Sequence, residues 1–445
     1  MPEVGLLWFN NDLRISDNAT LLRATQEVDQ LICLALVPPN TTAYDKFKPY
    51  TLSNHRRGFL NQSLEDLDRN LNALDQQLII SQHSIEDCFS ELITQYKITR
   101  VYCSQITNMD EKEQWQNLTK HYPMISFHQV PNNRLFDQSQ LPFSTAELPN
   151  SFSKFRRQVE DIQLISAASS PKKLPASPIP ESGRQSNKSH FQTYNQGLFH
   201  GGESSAKQHL INYFQRGLAS TYKETRNGLD GMDYSTKFSP WLANGCLSPR
   251  QVLTELHRYE QQVERNESTY WIYFELLWRE YFKCYADKYG HRIFAFAGIN
   301  NNRPTTSFYP QRFQKWCQGN TPYPIVNACM KQLNRTGYMS NRGRQLVASC
   351  FVHELNLDWR YGASYMEQQL IDYDMASNWG NWQYLAGVGA DPRGHRRFDL
   401  DKQTQIYDPK GQFIKRWQGD SGDPVLDTND IVDWPIATPE RQTIK

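Results

Sequence analysis

Residues 5–18 read "GLLWFNNDLRISDN". An apolar run followed at once by Asn, Asp and Ser has the character of a buried strand that ends in a polar turn. No GxGxxG follows that strand, which argues against an ordinary dinucleotide fingerprint. Similar runs recur at "LICLALV" (31–37), "QLII" (77–80), "VYCS" (101–104) and "ISFHQV" (125–130), and "LLRATQ" and "RGFLNQSLEDLDRNLNALDQQ" between them have helical spacing. Strand and helix in alternation imply a parallel sheet with crossover helices. Residues 1–130 are therefore predicted to form a doubly wound, Rossmann-like α/β domain.

Beyond it, residues 131–200 are predicted as a linker, because 165–200 is rich in Ser, Pro and Lys and has no periodicity. From 201 to 420 the strand signals fade. "SAKQHLINYFQRG", "SPRQVLTELHRYEQQVERN", "YWIYFELLWREYFKCYADKYG", "YPIVNACMKQLNRTG", "GRQLVASCFVHEL" and "YGASYMEQQLIDYD" all have helical spacing, several ending at Gly. Ser248 before Pro249 suits an N-cap and first-turn pair. Residues 421–445 are acidic and contain Pro, as a loosely held tail would.

A chain of 445 residues exceeds one simple core, in keeping with two domains. Aromatic residues make up 13%, and nine of the eleven tryptophans lie after residue 240. The formal net charge is only +1, but Lys283, Lys288, Arg292, Arg303, Arg312, Lys315, Lys331, Arg335, Arg342 and Arg344 face a single acid, Asp287, between 281 and 350. That segment is either a polyanion surface or a basic face balanced by acids from elsewhere in the fold. The eight cysteines are dispersed with no CxxC, so no metal is expected. With no signal peptide and no membrane-spanning run, reduced thiols in a cytoplasmic protein are expected.

Chemistry concentrates in the second half. In "YWIYFELLWREYF", Trp271, Glu275, Trp278 and Phe282 share one helical face, either as a core stripe or as an aromatic platform with a carboxylate acceptor for a planar heterocycle. "DYSTKFSPWLANGCLSPR" (233–250) offers Ser235, Thr236, Lys237 and Ser239, which could cradle phosphates or merely cap a helix. "YMSNRGRQ" (338–345) groups Asn341, Arg342 and Arg344, suited to phosphate or carboxylate partners. "DYDMASNWGNWQYLAGVG" (372–389) packs acids, amides and indoles together; indoles oxidise readily, so a chain of them leading away from a heterocycle would suit a flavin.

These motifs resemble the DNA photolyase and cryptochrome family over nearly the whole chain. The match rests on "LWFNNDLRISDN", "DYSTKFSPWLANGCLSPR", "ELLWREYF", "GYMSNRGRQ", "LIDYDMASNWGNWQYLAGVGADPRG" and "YDPKGQFIKRW", and the second half looks most like DASH cryptochromes. The resemblance implies an α/β antenna domain followed by an all-helical FAD-binding domain. It implies that Tyr222, Ser235, Thr236, Lys237, Phe238, Ser239 and Trp271 contact FAD, that Glu275, Trp278 and Asn341 line the flavin and lesion pocket, and that Arg344 pairs with Asp372 near the flavin ring. Asp374 would lie near the same cofactor, and Asn378 would face flavin N5. Glu111 in "TNMDEKEQW" resembles the glutamate that holds methenyltetrahydrofolate. Arg226, Arg342, Arg344, Arg393, Arg396 and Arg397 are the expected nucleic-acid contacts.

The implied activity is blue-light repair of cyclobutane pyrimidine dimers by electron donation from reduced flavin, on a base extruded from its stack. Two departures from the family stand out. Tyr384 replaces a tryptophan that sandwiches the lesion, and Gln345 replaces a methionine; a smaller platform and a more polar wall favour single-stranded DNA, whose dimers need less unpairing. The electron chain would run through Trp382 and Trp359, but its third position is Thr306, leaving Phe308, Tyr309 or Trp316 as the exit. The expected protein is a monomer acting on single-stranded DNA, and RNA or duplex weakly. A photoreceptor signalling through a partner is the alternative, and a tRNA-modifying enzyme built from a nucleotide-binding domain and a helical module is a third.

Overall fold

The computed structural model describes residues 2–38, 51–180, 197–390 and 396–427, together with the backbone of two short strands, Tyr44–Asp45 and Lys48–Pro49. Five strands form the main sheet: β1 (Val4–Phe9), β2 (Gln30–Leu36), β3 (Leu78–Ser81), β4 (Arg100–Ser104) and β5 (Ser126–Val130). Every pairing is parallel and the order is β3-β2-β1-β4-β5, the doubly wound arrangement expected from the alternation. Both faces of β1 are buried. Leu6 and Trp8 pack with Ile32, Leu34 and Val101 on one side, while Leu7 and Phe9 on the other join the apolar core that runs on into the helical half.

Helices α1 (Ala19–Glu27) and α2 (Asn54–Asn72) occupy the stretches with helical spacing. Two more, α3 (Ile85–Tyr96) and α4 (Met109–His121), were not anticipated, although Ser84 and Asn108 cap them with their side chains. The predicted linker also differs. It contains α5 (Phe152–Val159), whose Phe152, Phe155 and Val159 are buried, so part of it is a packed element.

The helical half comprises α6 (Glu203–Gln215), α7 (Pro249–Gln262), α8 (Glu267–Tyr289), α9 (Pro310–Gln318), α10 (Pro324–Thr336), α11 (Asn341–Ser349), α12 (Trp359–Gln369), α13 (Met375–Leu385), α14 (Leu400–Tyr407) and α15 (Gln412–Arg416). The stretch read as one helix over 343–355 changes to π-helix at Cys350–Glu354. The acidic tail is pinned as far as it is described: Asp423 and Asp427 pair with Lys315 and Arg312 of α9.

The turn after β1 explains the missing glycine motif. Arg14 is fully buried there and donates to Asn133 Oδ1 (2.7 Å), Asn132 Oδ1 (3.0 Å) and the carbonyls of Ser16 (3.0 Å), Asp17 (2.7 Å) and Gly245 (2.8 Å). Glu203 of α6 accepts from the Ile15 and Ser16 amides. Ser248 donates to Asp17. Where a dinucleotide-binding turn admits pyrophosphate, this turn is filled by the chain's own helical half. Gly245 permits the approach, since a Cβ there would lie 1.8 Å from the Asn11 carbonyl oxygen.

A candidate flavin and nucleic-acid site

The segment joining Asp233 to α7 crosses the helical half with Ser235 at φ +63° and Lys237 at φ +56°. Two left-handed residues flanking one ordinary residue turn backbone N–H groups to one side, the pattern of an anion-binding nest. Lys237 is buried, yet no carboxylate pairs with its ammonium among the described residues; its Nζ lies 5.1 Å from the centre of the Tyr338 ring. Burial pulls Lys237 from its ordinary 10.5 down to about 8. Nearby, Gln332 has a buried carbonyl oxygen without a donor while its amide reaches Asp230. A buried cation beside an orphaned acceptor and a backbone nest fits a phosphorylated, hydrogen-bonding ligand.

Tyr338 joins this patch to the next. The Ser235 and Ser239 hydroxyls lie near its phenol, and the Arg344 guanidinium lies 5.6 Å over its ring. Arg344 donates to both oxygens of Asp372 (2.9 and 2.7 Å), which is 1% exposed at its side chain, and to the Met339 carbonyl. Phe238 packs against Tyr213 and His209, and His209 holds the Thr236 carbonyl at 2.9 Å. Asn378 donates from Nδ2 to the Ala363 carbonyl (3.0 Å), which fixes the orientation of its amide.

A second group lies along α8. Glu275 forms an ion pair with Arg226, and burial, with Glu275 adding to it, raises the Tyr222 phenol; the Arg226 guanidinium sits 4.7 Å over Trp271. Burial raises the Glu275 carboxyl, and Arg226 opposes that shift. Trp278 meets Tyr384 of α13 edge to face, 6.2 Å apart at 80°, and the Arg396 guanidinium lies 4.5 Å over Tyr384. Arg342 reaches Asn227 and stacks 4.7 Å over Tyr407. Asn341 is exposed at the start of α11, one turn before Gln345.

Other expected site residues have partners of their own. Asp374 is one residue from Asp372, but it pairs with Lys283 (3.2 Å) and caps α13 through the Ser377 amide; Lys283 and Arg279 hold its carboxyl well below the usual range against the opposing effect of burial. Trp316 is fully buried, so it is no surface exit, although it meets Trp382 at 6.2 Å. Trp359 is equally buried and contacts Trp379 at 5.7 Å. Phe308 and Tyr309 do reach the surface, Phe308 stacking on Tyr361 at 4.1 Å. Gly362 lets Trp382 close onto α12, since a Cβ there would lie 2.3 Å from the indole.

The 281–350 segment is no bare polyanion surface. Lys283 is buried against Asp374, Arg312 and Lys315 bind the acidic tail, Lys331 reaches Gln418 and Ser421, and Arg344 holds Asp372. Arg397 is exposed but paired with Glu354, and Arg393 lies outside the described residues. Sequence reading missed Asp230, Gln332, Tyr338 and Phe152 as site residues. For Phe152 the signal was there, in the i, i+3, i+7 spacing with Phe155 and Val159.

Glu111 belongs to a separate group with Asn10 and Arg56. It accepts from Asn10 Nδ2 at 2.6 Å, Arg56 acts on it electrostatically, and burial pushes it up to about 7. Among the described residues no three His, Cys, Asp or Glu side chains are grouped for a metal, and no helix is long and apolar enough to cross a membrane.

Two family models match the chain: "DNA photolyase" over residues 5–179 and "FAD binding domain of DNA photolyase" over residues 271–423. Such a pairing defines a flavin-binding protein of the photolyase and cryptochrome class. Cryptochrome DASH of Idiomarina loihiensis is 52% identical over 97% of this chain and 96% of its own, and that of Vibrio parahaemolyticus is 52% identical over 99% and 98%. The crystal structure of a Synechocystis cryptochrome superposes with a TM-score of 0.88 at 38% identity, covering 94% of this chain and 89% of that one. The chain belongs to the DNA photolyase/cryptochrome family, within its cryptochrome DASH group, and its cofactor is FAD.

An FAD diphosphate placed at Lys237 would have a measurable consequence. The folded lysine is neutral between about pH 8 and 10.5 while the unfolded one is charged, so cofactor-free stability rises with pH through that window. A diphosphate restores the charge. FAD binding at pH 9 is therefore expected to take up close to one proton, read by titration calorimetry in buffers of differing ionisation enthalpy; Lys237→Gln should abolish the uptake, and equal uptake by both proteins would refute the assignment.

Proposed function

We propose that the protein is a blue-light-driven, FAD-dependent lyase that splits cyclobutane pyrimidine dimers, with preference for single-stranded DNA. The observation that carries this reading is the perpendicular corner of Trp278 and Tyr384, with Arg396 over Tyr384 and two further cations, Arg226 and Arg342, stacked on Trp271 and Tyr407. When bound, reduced FAD supplies light-driven one-electron donation to the dimer, chemistry no side chain offers.

The side chains supply placement. Lys237 and the Ser235–Lys237 nest would hold the cofactor's diphosphate, the Arg344–Asp372 pair would support its ring system, and Asn378 would offer it a neutral amide. Glu275 and Asn341 offer an acceptor and an amide to an extruded pyrimidine pair, and Trp278 and Tyr384 form an aromatic corner against which it can lie. Arg226, Arg342 and Arg396 meet phosphates. A phenol in place of an indole at 384, and the polar Gln345 in place of a methionine, reduce the stacking available to offset unpairing of a duplex. Trp382 and Trp359 begin the route that resupplies electrons, and Tyr309 is its surface end. Glu111 and Asn10 hold a methenyltetrahydrofolate antenna. Eight free thiols suit a cytoplasmic setting.

The test is to irradiate the reduced, flavin-loaded protein with blue light beside dimer-containing single strands and duplexes, following dimer loss in each. Loss confined to single strands is expected. Equal loss would remove the preference, and loss in neither would replace the lyase by a photoreceptor.

A further inference from the structure

Trp278 has a partner that none of the active-site motifs contains. Phe152, from α5, lies face to face on its indole with ring centres 3.8 Å apart and planes 10° apart, closer and more nearly parallel than the stack of Phe282, at 5.5 Å and 28°. Phe152 is 6% exposed. It is held in turn by edge contacts to Phe274 (5.1 Å, 82°) and Tyr281 (6.0 Å, 73°), by fully buried Phe155 on its own helix, and by the bond from Tyr270 to Glu160 that ties the end of α5 to α8. The indole plane is thus set by a segment from outside the helical half, while its edge-to-face contact with Tyr384 forms the corner described above.

We propose that Phe152 is a positioning residue: it fixes the plane of Trp278 and thereby sets how strongly the pocket prefers a dimer over an undamaged strand. This rests on the repair reading. A flat ligand stacks productively only on a ring whose plane is fixed before it arrives, and a face-to-face neighbour restricts indole rotation without touching the ligand. Undamaged strands are held mainly through phosphates and do not sense that plane.

The test uses the FAD-loaded full chain with 5-fluorotryptophan incorporated, its Trp278 fluorine resonance assigned from Trp278→Phe. Phe152→Ala should shift and broaden that resonance, Phe152→Leu should do so partially, and Phe152→Tyr should leave it narrow. In the dark, the ratio of affinities for oligothymidine with and without one dimer should fall roughly five- to tenfold in Phe152→Ala. Flavin content and affinity for the undamaged strand should stay unchanged, and Phe152→Tyr should retain the ratio. An unmoved resonance in Phe152→Ala, or in Phe152→Leu if the alanine variant does not fold, overturns the proposal. So does a moved resonance with an unchanged ratio. A wild-type ratio of one overturns the repair reading and the discrimination claimed here, while the resonance still decides whether Phe152 holds the indole.

Discussion

Arg14→Ala is expected to destabilise the protein by about 3–5 kcal/mol, the range for breaking a buried charged network by removing one partner. The guanidinium serves five acceptors at 2.7 to 3.0 Å, one of them the Gly245 carbonyl in the helical half. Its removal leaves most of those oxygens dry and unpaired, although Asn132 Oδ1 keeps the Ala19 amide, and takes from Asp12, Asp17 and Glu203 the buried cation at the centre of the turn. Lysine is no remedy: three donors on a flexible stem cannot reproduce a planar fork. Urea unfolding of the cofactor-free protein measures this directly. A loss below about 1 kcal/mol for Arg14→Ala would mean that water or neighbouring amides replace the guanidinium.

Asp372→Ala is expected to lower FAD affinity by roughly a hundredfold, about 3 kcal/mol. Asp372 neutralises Arg344 through two bonds, and Arg344 and Lys237 both lie over Tyr338. Without the carboxylate, two cations share one dry corner, and Arg344 is free to swing into the space the cofactor needs. Asp372→Asn keeps the shape but not the charge and should fall between. Recovery of free flavin fluorescence on dilution gives the affinities. An alanine variant within threefold of the wild type would show that Asp372 acts on folding alone.

Much of the architecture is visible along the chain because unbroken apolar runs and period-3.6 patterns report burial directly. The strands around Leu7 and Leu34 and the helix bearing Glu275 and Trp278 are of this kind. The motif from Ser235 to Ser239 is also legible, since hydroxyls and a lysine in a turn have few other uses. Charge is less legible. A count along 281–350 treats Lys283 and Arg303 alike, yet the first is buried on Asp374 and the second exposed.

The sequence by itself therefore determined the doubly wound and helical halves, the family, and the residue types of the flavin site, because each depends on local patterns and on short motifs. Only the tertiary structure decided which partners those residues keep. It placed Arg14 and Glu203 from opposite halves in one buried turn, buried Trp316, one of three candidate exits, and brought Phe152 from a supposed linker onto the face of Trp278. Contacts between residues more than a hundred positions apart depend on how whole elements pack, and no periodicity along one segment encodes the segment that will lie against it.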